Sequence, residues 1–227
     1  MVPKEFLLIA GDAESDRLAA ELVTALRLGL TEAEMGYAEG AQPLHASLEP
    51  RFYGAGGPRM ASAGVSLVSD IAGGSGARSN PFLGLLRFRR IFAKLYHLAL
   101  EREPHVVIGI GFFGFNLRFA RAIKRFVRHE QGTFHNWDPQ FVQVVAPPWA
   151  TRPPRARQLS RDIDCLLSTD TSEEIWYAVH APDLRVEFIG PLDRDSAMAE
   201  VARRAARAIV QLLMESEAHF PLRAYLA

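Results

Sequence analysis

The sequence predicts an α/β fold in which a parallel sheet carries helices on both faces, and three observations predict it. Short apolar runs alternate with helix-length segments for most of the 227 residues. The runs read as continuous rather than alternating, as expected for strands covered on both faces, whereas a half-exposed strand would alternate. Strand-then-helix repetition is also the pattern of parallel sheets, whose crossovers need a helix's worth of chain.

The apolar runs are Phe6 to Ala10, Val106 to Ile110, Phe141 to Val145, Ile163 to Leu167 and Val186 to Ile189. Helices are expected between them at Asp16 to Leu28, Leu83 to Leu100, Asn116 to His129 and Ser172 to His180. A short strand precedes the glycine-rich stretch Gly54 to Pro58. Ile71 to Pro81 reads as a flexible insertion rich in Gly and Ser. Pro147 to Pro154 holds four prolines, which lack the amide donors of regular structure, and is expected to be an irregular loop. After Gly190-Pro191 a long amphipathic helix runs from about Ser196 to Glu217. The expected organisation is one domain over residues 1–193 with a C-terminal helix, 194–227, packed on it.

Hydrophobic residues make up 48% and charged residues 23%, the balance of an ordinary globular protein rather than a disordered one. The 26 basic and 26 acidic side chains cancel, and no recognisable nucleic-acid-binding module is present, so nucleic acid is not an expected partner. Cys165 is the single cysteine, which excludes an internal disulfide and argues against a thiolate zinc site. Within Cys165-Leu166-Leu167 it reads as a small buried side chain. His97, His105, His129 and His135 show no metal-ligand spacing with acidic neighbours, so structural roles are expected and neither metal nor cofactor is called for. No stretch reaches the roughly 18 apolar residues that span a bilayer. The N-terminus lacks the charged-then-apolar pattern of a signal peptide, and a cytoplasmic location is the expectation.

Two motifs carry more than fold information. Gly11-Asp12-Ala13-Glu14-Ser15-Asp16 lies at the carboxyl end of the first strand and opens the first helix, where open α/β sheets bind ligands. It lacks the later glycines of a dinucleotide fingerprint, and its three carboxylates would repel a phosphate set directly on them. The competing reading is that Ser15 or Asp16 caps the helix. Gly54-Ala55-Gly56-Gly57-Pro58-Arg59-Met60, with Gly64 beyond, combines glycines that permit close backbone approach and positive φ with a proline suited to a helix's first turn.

In this order the motifs resemble those of the lipid A disaccharide synthase family. Its N-terminal domain carries G-E-x-S-G-D after the first strand, then G-x-G-G-P-x-M-x-x-x-G, G-I-D-x-P-D-F-N-L, V-S-P-S-x-W-A-W-R and F-I-G-H-P-L-x-D. Here the first appears as Gly11 to Asp16, keeping the outer glycine and Asp16 but not the Ser-Gly pair. The second matches throughout from Gly54 to Gly64. The third is Gly109-Ile110-Gly111-Phe112-Phe113-Gly114-Phe115-Asn116-Leu117. The fourth is Val145-Ala146-Pro147-Pro148-Trp149-Ala150-Thr151-Arg152, one residue short, and the last is Phe188-Ile189-Gly190-Pro191-Leu192-Asp193, without the histidine. The similarity spans about residues 6 to 193. It implies a Rossmann-like parallel sheet flanked by helices, similar to the N-terminal half of a glycosyltransferase of the two-domain B type.

The family transfers a sugar from a lipid-bearing UDP-glucosamine to a lipid-bearing glucosamine 1-phosphate, forming a β-1′,6 linkage with inversion. Such a displacement needs a base on the acceptor hydroxyl, worth about 10²–10⁴-fold. The family's candidate base is the first aspartate of its third motif and falls on Gly111; the second aspartate falls on Gly114. A replacement would have to come from Asp12, Glu14 or Asp16. The family's UDP-binding half is expected after Asp193, where this sequence shows one helix. The resemblance therefore implies a chain that binds an acylated glucosamine phosphate or an anionic membrane surface and is not catalytic alone, peripheral at the inner membrane. The alternatives are a component of an active synthase whose donor half is a separate UDP-sugar-binding chain, and a decayed remnant.

By the same resemblance the substrate-binding candidates are Gly11, Asp16, Gly56, Gly57, Asn116, Trp149 and Arg152. Trp149 reads equally as an aromatic plug anchoring its loop, and Asn116 as a cap on the helix that follows it. Between Phe82 and Tyr96 large apolar residues alternate with Arg87, Arg89, Arg90 and Lys94, a mixture suited to an anionic surface. Arg118, Arg121, Lys124, Arg125 and Arg128 add a second basic face. The plain alternative is that the apolar positions pack on the sheet and the cations are solvated.

Overall fold

The computed structural model describes residues 3–36, 49–71, 81–130, 137–146, 153–192 and 195–219. Within them the order is β1 (Glu5–Ala10), α1 (Ala13–Gly36), β2 (Arg51–Gly56), α2 (Pro58–Ser62), β3 (Ser66–Asp70), α3 (Pro81–Arg102) and β4 (Val106–Ile110). There follow α4 (Phe113–Glu130), β5 (Gln140–Val144), α5 (Pro153–Asp162), β6 (Cys165–Ser168), α6 (Thr171–His180), β7 (Arg185–Phe188) and α7 (Asp195–His219). The strands form one seven-stranded sheet in the order β3-β2-β1-β4-β5-β6-β7, parallel at every pairing. This is a Rossmann-like α/β sheet, the architecture of one half of a B-type glycosyltransferase.

The continuous apolar runs follow from burial on both faces. Along β1, Phe6, Leu8 and Ala10 join a core with α1, α2 and α7, while Leu7 and Ile9 join a second core with α3, α4, α5 and α6. Strand β4 divides likewise, Val106, Ile108 and Ile110 to the first core and Val107 to the second. Strand order runs outward from β1 in one direction and from β4 in the other. Because crossovers are right-handed, reversing the direction moves the helices to the opposite face. Only α7 escapes that rule, since no strand follows it among the described residues. It packs along α1 and closes the first core over Val142, Val144, Cys165 and Leu167 of β5 and β6.

Several boundaries differ from expectation for local reasons. Helix α1 starts three residues earlier than Asp16 because Asp12 caps it: Asp12 Oδ1 accepts the Ser15 amide at 2.8 Å and Oδ2 the Ser15 hydroxyl at 2.9 Å. Neither Ser15 nor Asp16 is that cap. Helix α4 begins at Phe113, so Asn116 is inside its first turn and is not its cap. The proline loop ends sooner than expected, because Pro153 and Pro154 open α5, where a missing amide costs nothing. Strand β3 was not foreseen: its sequence Ser-Leu-Val-Ser-Asp is not a continuous apolar run, as suits an edge strand that is only partly buried. Ile163 lies in the connection before β6 rather than in the strand. Residues 72–80 of the expected insertion lie outside the described residues, as do His135, Trp149 and Arg152.

Candidate functional site

Strand order reverses between β1 and β4, and their carboxyl ends lie side by side, with Ala10 paired to Ile110. Such a switch point opens a crevice because the two connections leave in opposite directions. Gly11 and Asp12 emerge on one side of it, Gly111 and Phe112 on the other. Two non-glycine residues at this edge have positive φ, Phe112 at +39° and Val145, after β5, at +68°, beside Gly111 at +55°; the other among the described residues is Glu103, before β4. A β-branched residue at positive φ is a clear outlier, and strain of this kind clusters where a fold carries function.

Asp16 ties the two sequence motifs together. Its carboxylate is only 2% exposed and accepts three backbone amides, from Gly57 at 2.8 Å, Arg59 at 3.0 Å and Met60 at 3.1 Å. These are the donors that α2 leaves without helical partners, so Asp16 on α1 caps α2 from outside. The remaining positions of the motif serve the same docking. A Cβ on Gly54 would stand 1.9 Å from the Leu8 carbonyl oxygen of β1, and one on Gly56 2.1 Å from the Met60 sulfur. Gly57 precedes α2 in extended conformation, Pro58 opens it, and Met60 is wholly buried. Gly64, at φ +86°, turns the chain toward β3. Asp16, Gly56 and Gly57 thus shape the ridge beside the crevice through contacts within the chain, rather than by presenting free polar groups.

Gly111 is held from below. Its carbonyl accepts the Asn116 side-chain amide at 2.8 Å and the Gln143 amide at 3.2 Å. Asn116 is 6% exposed and Gln143 lies fully inside β5. Gln143 was missed in the sequence, although a glutamine in the middle of the apolar run Phe141 to Val145 was the signal: a buried amide must find partners. The ring of Phe112 covers Gly11, whose Cβ would lie 2.3 Å from that ring. Phe112 stacks on Phe115 with centroids 5.1 Å apart and meets Phe88 of α3 at 5.4 Å. Phe92 of α3 meets Phe115 and Phe119 edge-on at 5.6 Å.

That aromatic contact brings the basic turn of α3 alongside the switch point. Arg87, Arg89, Arg90 and Lys94 are all exposed, and Leu86 beside them is exposed as well. Arg87 also donates to the Asp70 carbonyl at 2.7 Å, bracing α3 against the end of β3. The second basic face is less available. Arg121 is paired with Asp162 at 2.6 Å, and Lys124 with Asp164, so these two join α4 to the α5–β6 segment while Arg118, Arg125 and Arg128 stay exposed. Among the described residues no cluster of metal-binding side chains occurs, and no helix is long and apolar enough to cross a membrane.

Two of the places where this chain departs from the resembled motifs touch each other. The motif glycine falls on Ser15 and the motif aspartate on Gly111. A Cβ on Gly111 would stand 2.5 Å from the Ser15 hydroxyl oxygen and 3.3 Å from Asp12 Oδ2.

Comparison with known proteins bears on the family. The family model described as lipid-A-disaccharide synthetase matches residues 6–219. A lipid-A-disaccharide synthase of Myxococcus xanthus is 31% identical over 182 residues, covering 77% of this chain and 39% of that protein. One from Xanthomonas oryzae pv. oryzae is 31% identical over 222 residues, covering 94% and 43%, and one from Alcanivorax borkumensis 31% over 207, covering 86% and 45%. The chain therefore spans roughly two fifths of the length of the curated relatives it matches, 39% to 45% in these three. By the extent of the family match and by these relatives, the chain belongs to the lipid-A-disaccharide synthetase family.

Proposed function

We propose that this chain provides the acceptor side of lipid A disaccharide synthesis, holding an acylated glucosamine phosphate at the β1/β4 crevice while α3 rests on an anionic membrane surface. The observation that carries this is the junction of three features at one edge of the sheet. The switch-point crevice, the partly exposed rings of Phe88, Phe92 and Phe112, and the cations Arg87, Arg89, Arg90 and Lys94 are contiguous through the Phe88–Phe112 contact. A sugar hydroxyl suits the crevice, an acyl chain suits the rings, and phosphate or lipid headgroups suit the cations. In this reading Gly11 lies beneath the Phe112 ring at the crevice, Gly56, Gly57, Asp16 and Asn116 fix its shape, and Trp149 and Arg152 contact the substrate.

Gly111 and Gly114 offer no proton acceptor where the resembled motif has aspartates, so the chain alone is proposed to bind without transferring. A second reading follows from the family match over residues 6–219: the chain acts as part of a UDP-sugar-dependent hexosyltransferase when a UDP-sugar-binding polypeptide joins it. In either reading the chain works in the cytoplasm as a peripheral protein of the inner membrane and needs neither metal nor cofactor.

The experiment is sedimentation with anionic vesicles, with and without an acylated glucosamine 1-phosphate. Near an anionic surface each cation contributes about 1 kcal/mol, so replacing Arg87, Arg89, Arg90 and Lys94 with Ala should weaken binding by roughly 10²–10³-fold. Wild-type protein that stays in the supernatant at every salt concentration, with or without the acylated sugar, defeats the proposal. UDP release from both lipid substrates is expected only with a UDP-sugar-binding partner present.

A further inference from the structure

We infer that Asp12 is the residue that receives the acceptor sugar's hydroxyl, in place of a side chain at position 111; the inference rests on the acceptor reading above. Ser15 is 7% exposed, and its hydroxyl oxygen, which donates to Asp12, lies 2.5 Å from where a Cβ on Gly111 would be. Any side chain at 111 would have to push that hydroxyl away and break its 2.9 Å bond to Asp12. With glycine there, the nearest carboxylate to the vacated direction is that of Asp12, whose Oδ2 lies 3.3 Å from the same point. A carboxylate oxygen thus stands in non-bonded contact range, 3.3 Å, of where a side chain just after β4 would have placed its Cβ, but it arrives from the end of β1.

Asp12 is also built to stay there. Its two oxygens are fixed by the Ser15 amide and hydroxyl at the start of α1, so its orientation does not depend on a ligand. Each carboxylate oxygen accepts one bond in this arrangement and has a second lone pair to offer. The residue is exposed at the crevice, in contrast to Asp16, whose carboxylate is enclosed by three amides. Of the acidic residues at the end of β1, Asp12 alone is both oriented and open beside Gly111. A hydroxyl donated to it would lie at the switch point, between the β1 and β4 connections, where the fold places ligands.

The test is equilibrium binding of two probes to the full chain in detergent micelles: an acylated glucosamine 1-phosphate, and its analogue deoxygenated at the accepting carbon. Wild-type protein should prefer the hydroxyl-bearing probe by about 10- to 100-fold, the worth of a hydrogen bond to a charged group. Asp12→Asn should lose most of that preference while melting close to wild type, because asparagine caps a helix as well as aspartate does. Glu21→Gln, on the exposed side of the same helix, should retain the preference. If wild type binds the hydroxyl probe and Asp12→Asn discriminates as well as wild type, Asp12 is not the receiver and the inference falls while the acceptor reading stands. If wild type binds neither probe, both fall together.

Discussion

Replacing Asp16 with alanine tests whether the most specific motif in the chain is a docking device. The perturbation removes one carboxylate that accepts the amides of Gly57, Arg59 and Met60 across the α1–α2 contact. The Gly57 and Met60 bonds are buried, so water cannot replace the acceptor without opening the contact, whereas the Arg59 amide is partly buried and can be resolvated. Each stranded buried donor costs about 1–3 kcal/mol, which puts the loss at roughly 2–6 kcal/mol for the two. Asp16→Asn retains one oxygen, which can still serve Gly57 and Met60, but sets an amide donor against the Arg59 amide. A loss of about 1–3 kcal/mol is expected for it. Urea denaturation followed by circular dichroism measures both, compared at a common slope so that the midpoints report stability alone. Losses within about 0.5 kcal/mol of wild type for both variants would show that the three bonds do not hold α2, and the account of the motif given above would fail.

Two further predictions concern single atoms. Gly54→Ala should prevent folding or cost more than about 3 kcal/mol, because its Cβ would meet a backbone oxygen at 1.9 Å within the β1–β2 ladder and at φ +152°. Gly114→Ala, with nothing within 4 Å of its Cβ in α4, should be neutral or stabilising by up to about 1 kcal/mol; parallel denaturation curves decide both. Cys165 is 1% exposed, and burial, reinforced by the Glu187 carboxylate, pushes its thiol up to about 12 from 9.0. It should therefore react with a thiol reagent at pH 8 only as fast as the protein unfolds. Since the folded value is the higher one, the unfolded chain loses its proton first. Stability is full below pH 9 and falls as pH rises from about 9 toward 12, by up to about 1.4 kcal/mol per unit, and Cys165→Ala should remove that part of the slope.

The sequence by itself determined the layered architecture, because two-sided burial demands continuous apolar runs and β1 and β4 have them. It also pointed to the carboxyl end of β1 as the expected ligand position, from the glycine-led turn that opens the first helix there. It did not determine strand order or β3, because an edge strand buries little and leaves a weak pattern. The proline-led start of α5 was hidden for a related reason: the residues that open a helix are the ones that usually break one.

What the tertiary structure alone decided is the function of each polar group at that site. Asp12, Ser15 and Asp16 are near neighbours in sequence and chemically alike in pattern, yet one caps its own helix, one fills the space beside Gly111 and one caps a different helix. Gln143 and Asn116 meet on the carbonyl of Gly111 from two separate elements. Residue type states what bonds a side chain can make, but which partners it finds depends on contacts between segments far apart in the chain, and those exist only once the sheet has brought the segments together.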